Sequence, residues 1–194
     1  MIPNSRSDLF LVELPKVFIP EHIKKLYKPY VFRMPILINN VSDLVNYSIQ
    51  SISIPTFNYE PVQQMKPKKN SSLNNMDRHI GKEINYRSSI NPLDLPDRNF
   101  TITFQLLDGY VNYWILLQTF HYYYDFDNRK LYTFDVPVRI TDGDGNIMFT
   151  VMFHDVLFTG MSEFQISYSD VVQEFKTFDC TFRFNEMRMK FEID

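Results

Sequence analysis

The side chains best able to do chemistry in this sequence are few and far apart. Asp142-Gly143-Asp144-Gly145-Asn146 presents alternating oxygen donors, the look of a calcium loop. An EF-hand also needs Gly at its sixth position and a bidentate acid at its twelfth; here Ile147 and Phe153 stand there. Alternating apolar runs on both sides make the Asp-Gly step a hairpin turn instead. His22, His79, His121 and His154 show no spacing for zinc. His154 and Asp155 are neighbours near a predicted strand end, so their side chains point to opposite faces and make a poor catalytic pair. Cys180 is the sole cysteine; it cannot form an internal disulfide, which fits a reducing compartment. Within an apolar strand face it reads as a small buried hydrophobe, not a nucleophile. G-x-S-x-G, G-x-x-x-x-G-K-[ST] and G-x-G-x-x-G are all missing, and 5 glycines leave no phosphate-cradling loop. The expectation is a protein that is not an enzyme and holds no cofactor or metal.

The 194 residues are 44% hydrophobic and 16% aromatic, enough for one cored domain and unlike a disordered chain. A net charge of -3 argues against a life spent gripping phosphates. The opening MIPNSRSDLFLVELPK has charges and prolines where a signal peptide needs an apolar run, and no membrane span is expected. Charge is unevenly spread. From Asp142 onward ten acids face Lys176, Arg183, Arg188 and Lys190, while positive charge gathers at Lys66, Lys68, Lys69, Arg78, Lys82 and Arg87. The two segments either complement each other between identical copies or are separate solvated surfaces.

These groups need elements to hold them. Residues 1–32, broken by Pro3, Pro15, Pro20 and Pro29, read as an arm or extension with a short helix over 20–27. The remainder, 33–194, reads as the main domain. PILINN is an apolar run, and VNYSIQSISI alternates as a strand with a phase slip, a candidate bulge, near Gln50-Ser51. Residues 61–99 are polar and almost aperiodic, a long loop inserted in the domain; IGKEINYRSSI offers a returning strand that would make it a long hairpin. FTITFQLLD alternates cleanly. Residues 109–126 form the one long helix, with Tyr110, Trp114, Leu117, Phe120 and Tyr124 on one side and further apolar residues around it. Such a helix needs cover on both sides, from a neighbouring chain or from the N-terminal arm. LYTFDVPVRI and NIMFTVMF flank the Asp-Gly turn, DVLFTGMSEFQISYSD bends into a short strand, and EFKTFDCTFRFNEM closes the chain. In that last strand Phe178, Cys180, Phe182 and Phe184 share a face opposite Thr177, Asp179, Thr181 and Arg183. The fold class is mainly β (α+β), an antiparallel β-sandwich or half-barrel with one main helix.

Three stretches together resemble the inner tail tube proteins of contractile-tailed bacteriophages and related injection machines. IQSISIPTFNYEP is similar to the family's strand and Pro-containing bend before its long loop. FTITFQLLDGYVNYWILLQTF is similar to its strand, acidic turn and helix with a buried Trp or Phe. Residues 140–187 resemble its C-terminal half: a hairpin, a bend, an aromatic-Ser/Asp pair (Tyr168-Ser169-Asp170) and a closing strand. The family's Trp-Pro at the bend is Leu157-Phe158 here, and residues 1–32 have no counterpart.

The resemblance implies six copies in a ring, with inward strands joined as one continuous ring barrel and rings stacked helically through the long loop. It implies a virion tail protein assembled in the host cytoplasm, forming a conduit for double-stranded DNA. Its partners would be itself, the tail sheath, the baseplate hub and the tail terminator. Ser48, Gln50, Thr177, Asp179, Thr181 and Arg183 would face the channel, since a hydrophilic strand face suits water better than a sandwich interior. Lys66, Lys68, Lys69, Arg78 and Lys82 would serve the inter-ring loop. Tyr113, Leu116 and Tyr123 would present the helix to a neighbouring subunit or the sheath. Other readings are a baseplate, tube-initiator, neck or terminator component on the same fold, or, from a different class, a carbohydrate-binding β-sandwich module. The last would want solvent-facing Trp and Tyr on a concave sheet, and the sequence offers only Trp114.

Overall fold

Alternation and aromatic content build two antiparallel layers that share one strand. The structure, a computed structural model, describes residues 9–33, 38, 40–55, 98–124, 132–164 and 176–191, with the backbone alone of 62–65 and 84–87. The chain divides into two compact units, residues 1–54 with 98–194, and residues 55–97.

In the first unit the elements run β1 (Phe10–Val12), α1 (Glu21–Val31), α2 (Val41–Tyr47), β2 (Ile49–Ile52), β5 (Asn99–Gln105), a 3-10 turn (Asp108–Tyr110), α3 (Val111–Tyr123), β6 (Phe134–Thr141), β7 (Ile147–Met161), β8 (Thr177–Arg183) and β9 (Glu186–Phe191). Its sheet is ordered β1-β6-β7-β8-β5-β2, with β9 also paired to β7, and every pairing is antiparallel. The second unit contains the hairpin of β3 (Val62–Met65) and β4 (Ile84–Arg87), paired from Val62↔Arg87 to Met65↔Ile84. The returning strand expected in IGKEINYRSSI therefore forms.

β7 explains how seven strands make two layers. At Asp155 the backbone turns left-handed (φ 51), and sharp bends of this kind let a strand leave one sheet for another. The Asp135 carboxylate holds the bend, accepting the Asp155 N–H at 3.1 Å and meeting His154 Nδ1 at 3.1 Å. Before the bend β7 pairs β6 and β9, and β6 reaches one residue past it to Val156; from Leu157 on β7 pairs β8. β8 and β9 follow β7 in one register, from Leu157↔Arg183 to His154↔Glu186. One layer is thus β1-β6-β7-β9 and the other β7-β8-β5-β2. The sequence reading ended a strand near residue 153 and began another after a bend; the strand instead continues through it to Met161.

Alternate residues of both layers point between them. Phe100 stacks on Phe153 (4.6 Å) and Phe182 (5.3 Å), and Phe182 stacks on Phe158 (5.0 Å). Cys180, Phe178 and Phe184 complete the face foreseen for the last strand, all buried, and burial pushes the Cys180 thiol upward.

Three expectations change. Residues 45–47 are helical, not extended: the Asn40 side chain caps α2 by accepting from Ser42 N (3.2 Å), and Val41, Leu44 and Val45 fall at helical spacing into the core. The strand begins only at Ile49, and its register shift between Ile49 and Ser51 is the bulge foreseen at Gln50-Ser51. Residues 10–31 are not an arm beside the core, because Val12, Leu14, Phe18, Ile19, Ile23 and Val31 belong to it. Asn46 clips this segment in place, accepting from Leu14 N (3.0 Å) and donating to Leu14 O (3.1 Å). Finally, α3 buries Asn112, Ile115, Leu116 and Thr119, not the Trp114 stripe; Trp114 is 43% exposed. Gly109 and Tyr110, both left-handed, end the preceding turn and set that rotation.

Candidate functional site

No arrangement for covalent chemistry is present among the described residues. Asp142 spends its carboxylate on its own turn, accepting from Asp144 N (2.9 Å), Asn146 N (2.8 Å) and Asn146 Nδ2 (3.0 Å). Those bonds, chiefly from Asn146, hold its carboxyl below the ordinary carboxylate value. Among the described residues no group of His, Cys, Asp or Glu could hold a metal. A recess of about 540 Å³ is lined by Lys16, Glu21, His22, Lys24, Tyr122, Tyr123 and Tyr132 among others, and its one acid, Glu21, is spent accepting from Lys24 Nζ at 2.7 Å.

The feature that stands out is the outer face of the β7-β8-β5-β2 layer. Thr177, Asp179 and Arg183 are exposed and Thr181 half-exposed, directly opposite the buried Phe178, Cys180 and Phe182. Register extends that face across β5, where Gln105, Thr103, Thr101 and Asn99 stand beside Thr177, Asp179, Thr181 and Arg183. It continues to Ser51 on β2, beside Thr103. Thr103 Oγ1 donates to Asp179 Oδ1 at 2.8 Å, and Asp179 N donates to Ser162 Oγ at 2.8 Å. Thr159 Oγ1 donates to the Thr181 carbonyl at 2.9 Å. The result is a field of hydroxyls and amides carrying one acid and one base. Strand period alone made the β8 part legible; the β5 and β2 rows needed the pairing register.

The layer is also unfinished at both sides. No strand among the described residues pairs the outer edge of β2, nor the outer edge of β7 beyond Val156, where β6 stops. Unpaired edges of this kind are templates for another strand.

Other predicted positions fall differently. Ser48 is buried, its Oγ donating to Val45 O at 2.8 Å, because it ends α2 and does not stand on β2; it does not belong to the hydrophilic face. Gln50 is exposed at the bulge of β2. Leu116 lies in the core and presents nothing to a partner. Tyr113 packs edge-on against Phe164 (4.5 Å) and Phe178 (5.2 Å), and Tyr123 donates its hydroxyl to the Phe18 carbonyl. The N-terminal segment thus covers α3 on that side. Lys66, Lys68, Lys69, Arg78 and Lys82, and Tyr168-Ser169-Asp170, lie outside the described residues. Sequence reading missed Asn112, buried at the start of α3, which accepts from Leu107 N (3.1 Å) and donates to Gln105 O (2.7 Å), fixing the helix to the end of β5. A polar residue one position into an apolar helix was the available signal.

Two layers sharing one bent strand, with a helix over the core and open edges, can be compared with solved structures. A chain in the anti-feeding prophage tube-terminating cap superposes with a TM-score of 0.53 and 11% identity, over 98% of this chain and 93% of that one. A chain in the sheath-tube complex of an extracellular contractile injection system, PVC, gives 0.53 at 8% identity, over 97% and 92%. One in the 6-fold symmetrised anti-feeding prophage baseplate gives 0.54 at 11% identity, over 98% and 97%. The chain shares its fold with components of contractile injection machines. No family model matches the sequence, and no curated protein does.

Proposed function

We propose that this protein is a structural ring-former of a contractile tail or injection machine, with the β7-β8-β5-β2 layer as the wall of a central channel. The observation that carries this reading is the pairing of a hydroxyl-rich outer face with two open edges in the same layer. The strands alternate in direction, so β2 and β7 at the two edges run antiparallel to each other. A copy placed alongside continues the antiparallel pattern without a break, its β7 beside the first copy's β2. Closing a sheet through identical neighbours removes every exposed edge. Gln50, Thr177, Asp179, Thr181 and Arg183, with Ser51, Asn99, Thr101, Thr103 and Gln105, then line the bore.

A bore lined mainly by hydroxyls and amides lets cargo slide, because each fixed cation adds a salt-dependent grip on a polyanion; Arg183 is the one cation on this face, with Asp179 two pleats away to temper it. Double-stranded DNA is the cargo this reading assigns. Six copies close each ring, and head-to-tail stacking that does not close by rotation extends the assembly. The basic residues Lys66, Lys68, Lys69, Arg78 and Lys82 of the inserted unit dock on the acid-rich surface of the next ring, and sheath, baseplate hub and terminator proteins cover the outside and ends. The role is mechanical, without catalysis or cofactor. The similarity to cap and baseplate chains supports, beside the tube, a ring at an end of the tube.

Negative-stain microscopy of the purified protein tests the proposal. Hollow tubes or rings are expected; monomers at high concentration would overturn it. Deleting residues 62–79 is expected to leave single rings, and tubes of unchanged length would remove the stacking role from that segment.

A further inference from the structure

The channel wall is not the only open layer. In the β1-β6-β7-β9 layer no strand among the described residues pairs the outer edge of β1 or of β9. This layer too has four strands of alternating direction, so β1 and β9 run antiparallel. The two layers are staggered about β7. On one side the wall layer runs on past β8 to β5 and β2, whereas the other layer stops at β9, the continuation of β8. On the opposite side the wall layer stops at β7, whereas the other runs on to β6 and β1. Counted in strand order from β7, each layer therefore has two strands beyond the other's last, in opposite directions.

Side chains at the overhang match. Register aligns Phe10, Ile140, Phe149 and Phe191 in one row facing the core, and Val12, Val138, Val151 and Met189 in the next. The rows are apolar from end to end, yet at the β9 end Met189 is 55% and Phe191 71% exposed. They are core residues in direction without a core beside them.

From this stagger we infer a second joint between copies: β9 of one copy pairs antiparallel with β1 of the next, so that neighbouring subunits meet in a lap joint closed in both layers at once. The occupant of the β9 edge is a second copy of this chain, and its Phe10 and Val12 cover Met189 and Phe191. The inference rests on the ring reading above, since the same one-subunit step that brings β7 beside β2 brings β1 beside β9. Covering two edges and an apolar row adds cohesion that the wall strands alone lack.

Cysteine pairs test the two joints separately, and the background is clean because the sole native cysteine, Cys180, is buried. Leu11→Cys combined with Arg188→Cys or Lys190→Cys probes the outer joint, two positions allowing for barrel stagger; Ser51→Cys with Thr159→Cys probes the wall joint. All these side chains point away from the core. Under mild oxidation of full-length protein, both sets are expected to give a covalent ladder up to a closed ring on non-reducing gels. Mixing the Leu11→Cys and Lys190→Cys single variants should yield dimers and no larger species. A ladder from the wall pair with none from either outer pair would overturn the lap joint and leave the ring intact. No ladder from any pair, with circular dichroism showing folded protein, would overturn both.

Discussion

The two layers are built from the same material and finished differently. Both are four antiparallel strands, share β7, and turn alternate Phe, Val and Ile residues toward a common core. Away from the core, the β7-β8-β5-β2 layer shows Thr, Ser, Asn and Gln with one hydrogen-bonded acid, Asp179, and one base, Arg183. The other layer shows ion pairs between Glu13 and Arg139 (3.3 Å) and between Glu186 and Arg188 (2.7 Å), and a contact of Asp135 with His154 Nδ1 (3.1 Å). Long charged side chains reach into water and bind at a distance, whereas short hydroxyls satisfy themselves locally and offer a passing molecule little to hold. The difference separates a charged face from one whose short polar groups bond locally.

Breaking the common core should have the largest effect. Phe182→Ala removes the ring between Phe100 and Phe158 and is expected to cost ~3–5 kcal/mol in a denaturant titration, as for other buried aromatics. Thr181→Val, one residue away on the opposite face, should change the same midpoint by less than about 0.5 kcal/mol, since surface changes seldom do more. Equal losses from both would mean that the hydroxylated face is an interior.

Next comes the anchoring of each layer. Asn112→Ala leaves Leu107 N–H and Gln105 C=O without their partner and should cost about 1–3 kcal/mol, read by the same titration. Asp135→Ala frees the bend of β7 and should cost ~1 kcal/mol, with faster amide exchange at Asp155 than elsewhere in β7. The smallest effect is a pH dependence at the hairpin. The Asp142 carboxyl sits below its ordinary value through its bonds to Asn146. Its contribution is therefore complete above the unfolded-state carboxylate range and is lost as acid protonates it through the lower folded value. Asp142→Ala should melt below wild type at neutral pH, and the gap should close as the pH falls below the ordinary carboxylate range. A gap that widened in acid would contradict the assigned bonds.

What the sequence disclosed follows periodicity. The face of β8, the strand over residues 99–105, the Asp-Gly hairpin and the bulge at Gln50 were legible because a half-buried strand writes its two faces into alternate letters. The helix over 41–47 was misread because Val45, Tyr47 and Ile49 alternate by accident, while the deciding residue, the Asn40 cap, lies outside the alternation. The orientation of α3 was misread because aromatics surround it, so no apolar stripe stood out and the left-handed Gly109-Tyr110 pair set the rotation. Nor could the letters show that Ser48 ends a helix, which hid it from the hydrophilic face. The open edges were invisible for a different reason: whether a strand has a neighbour is a property of pairing, and pairing is not local.

One chain segment, the bent β7, belongs to both layers. A push on the hydroxylated layer therefore reaches the other layer through covalent bonds, without relying on the sliding contact of packed rings. Under a sudden load the molecule would behave as a folded plate with a seamless crease, and to split it lengthwise a force would have to rupture the backbone at Asp155 or strip the strand pairs along the fifteen residues of β7.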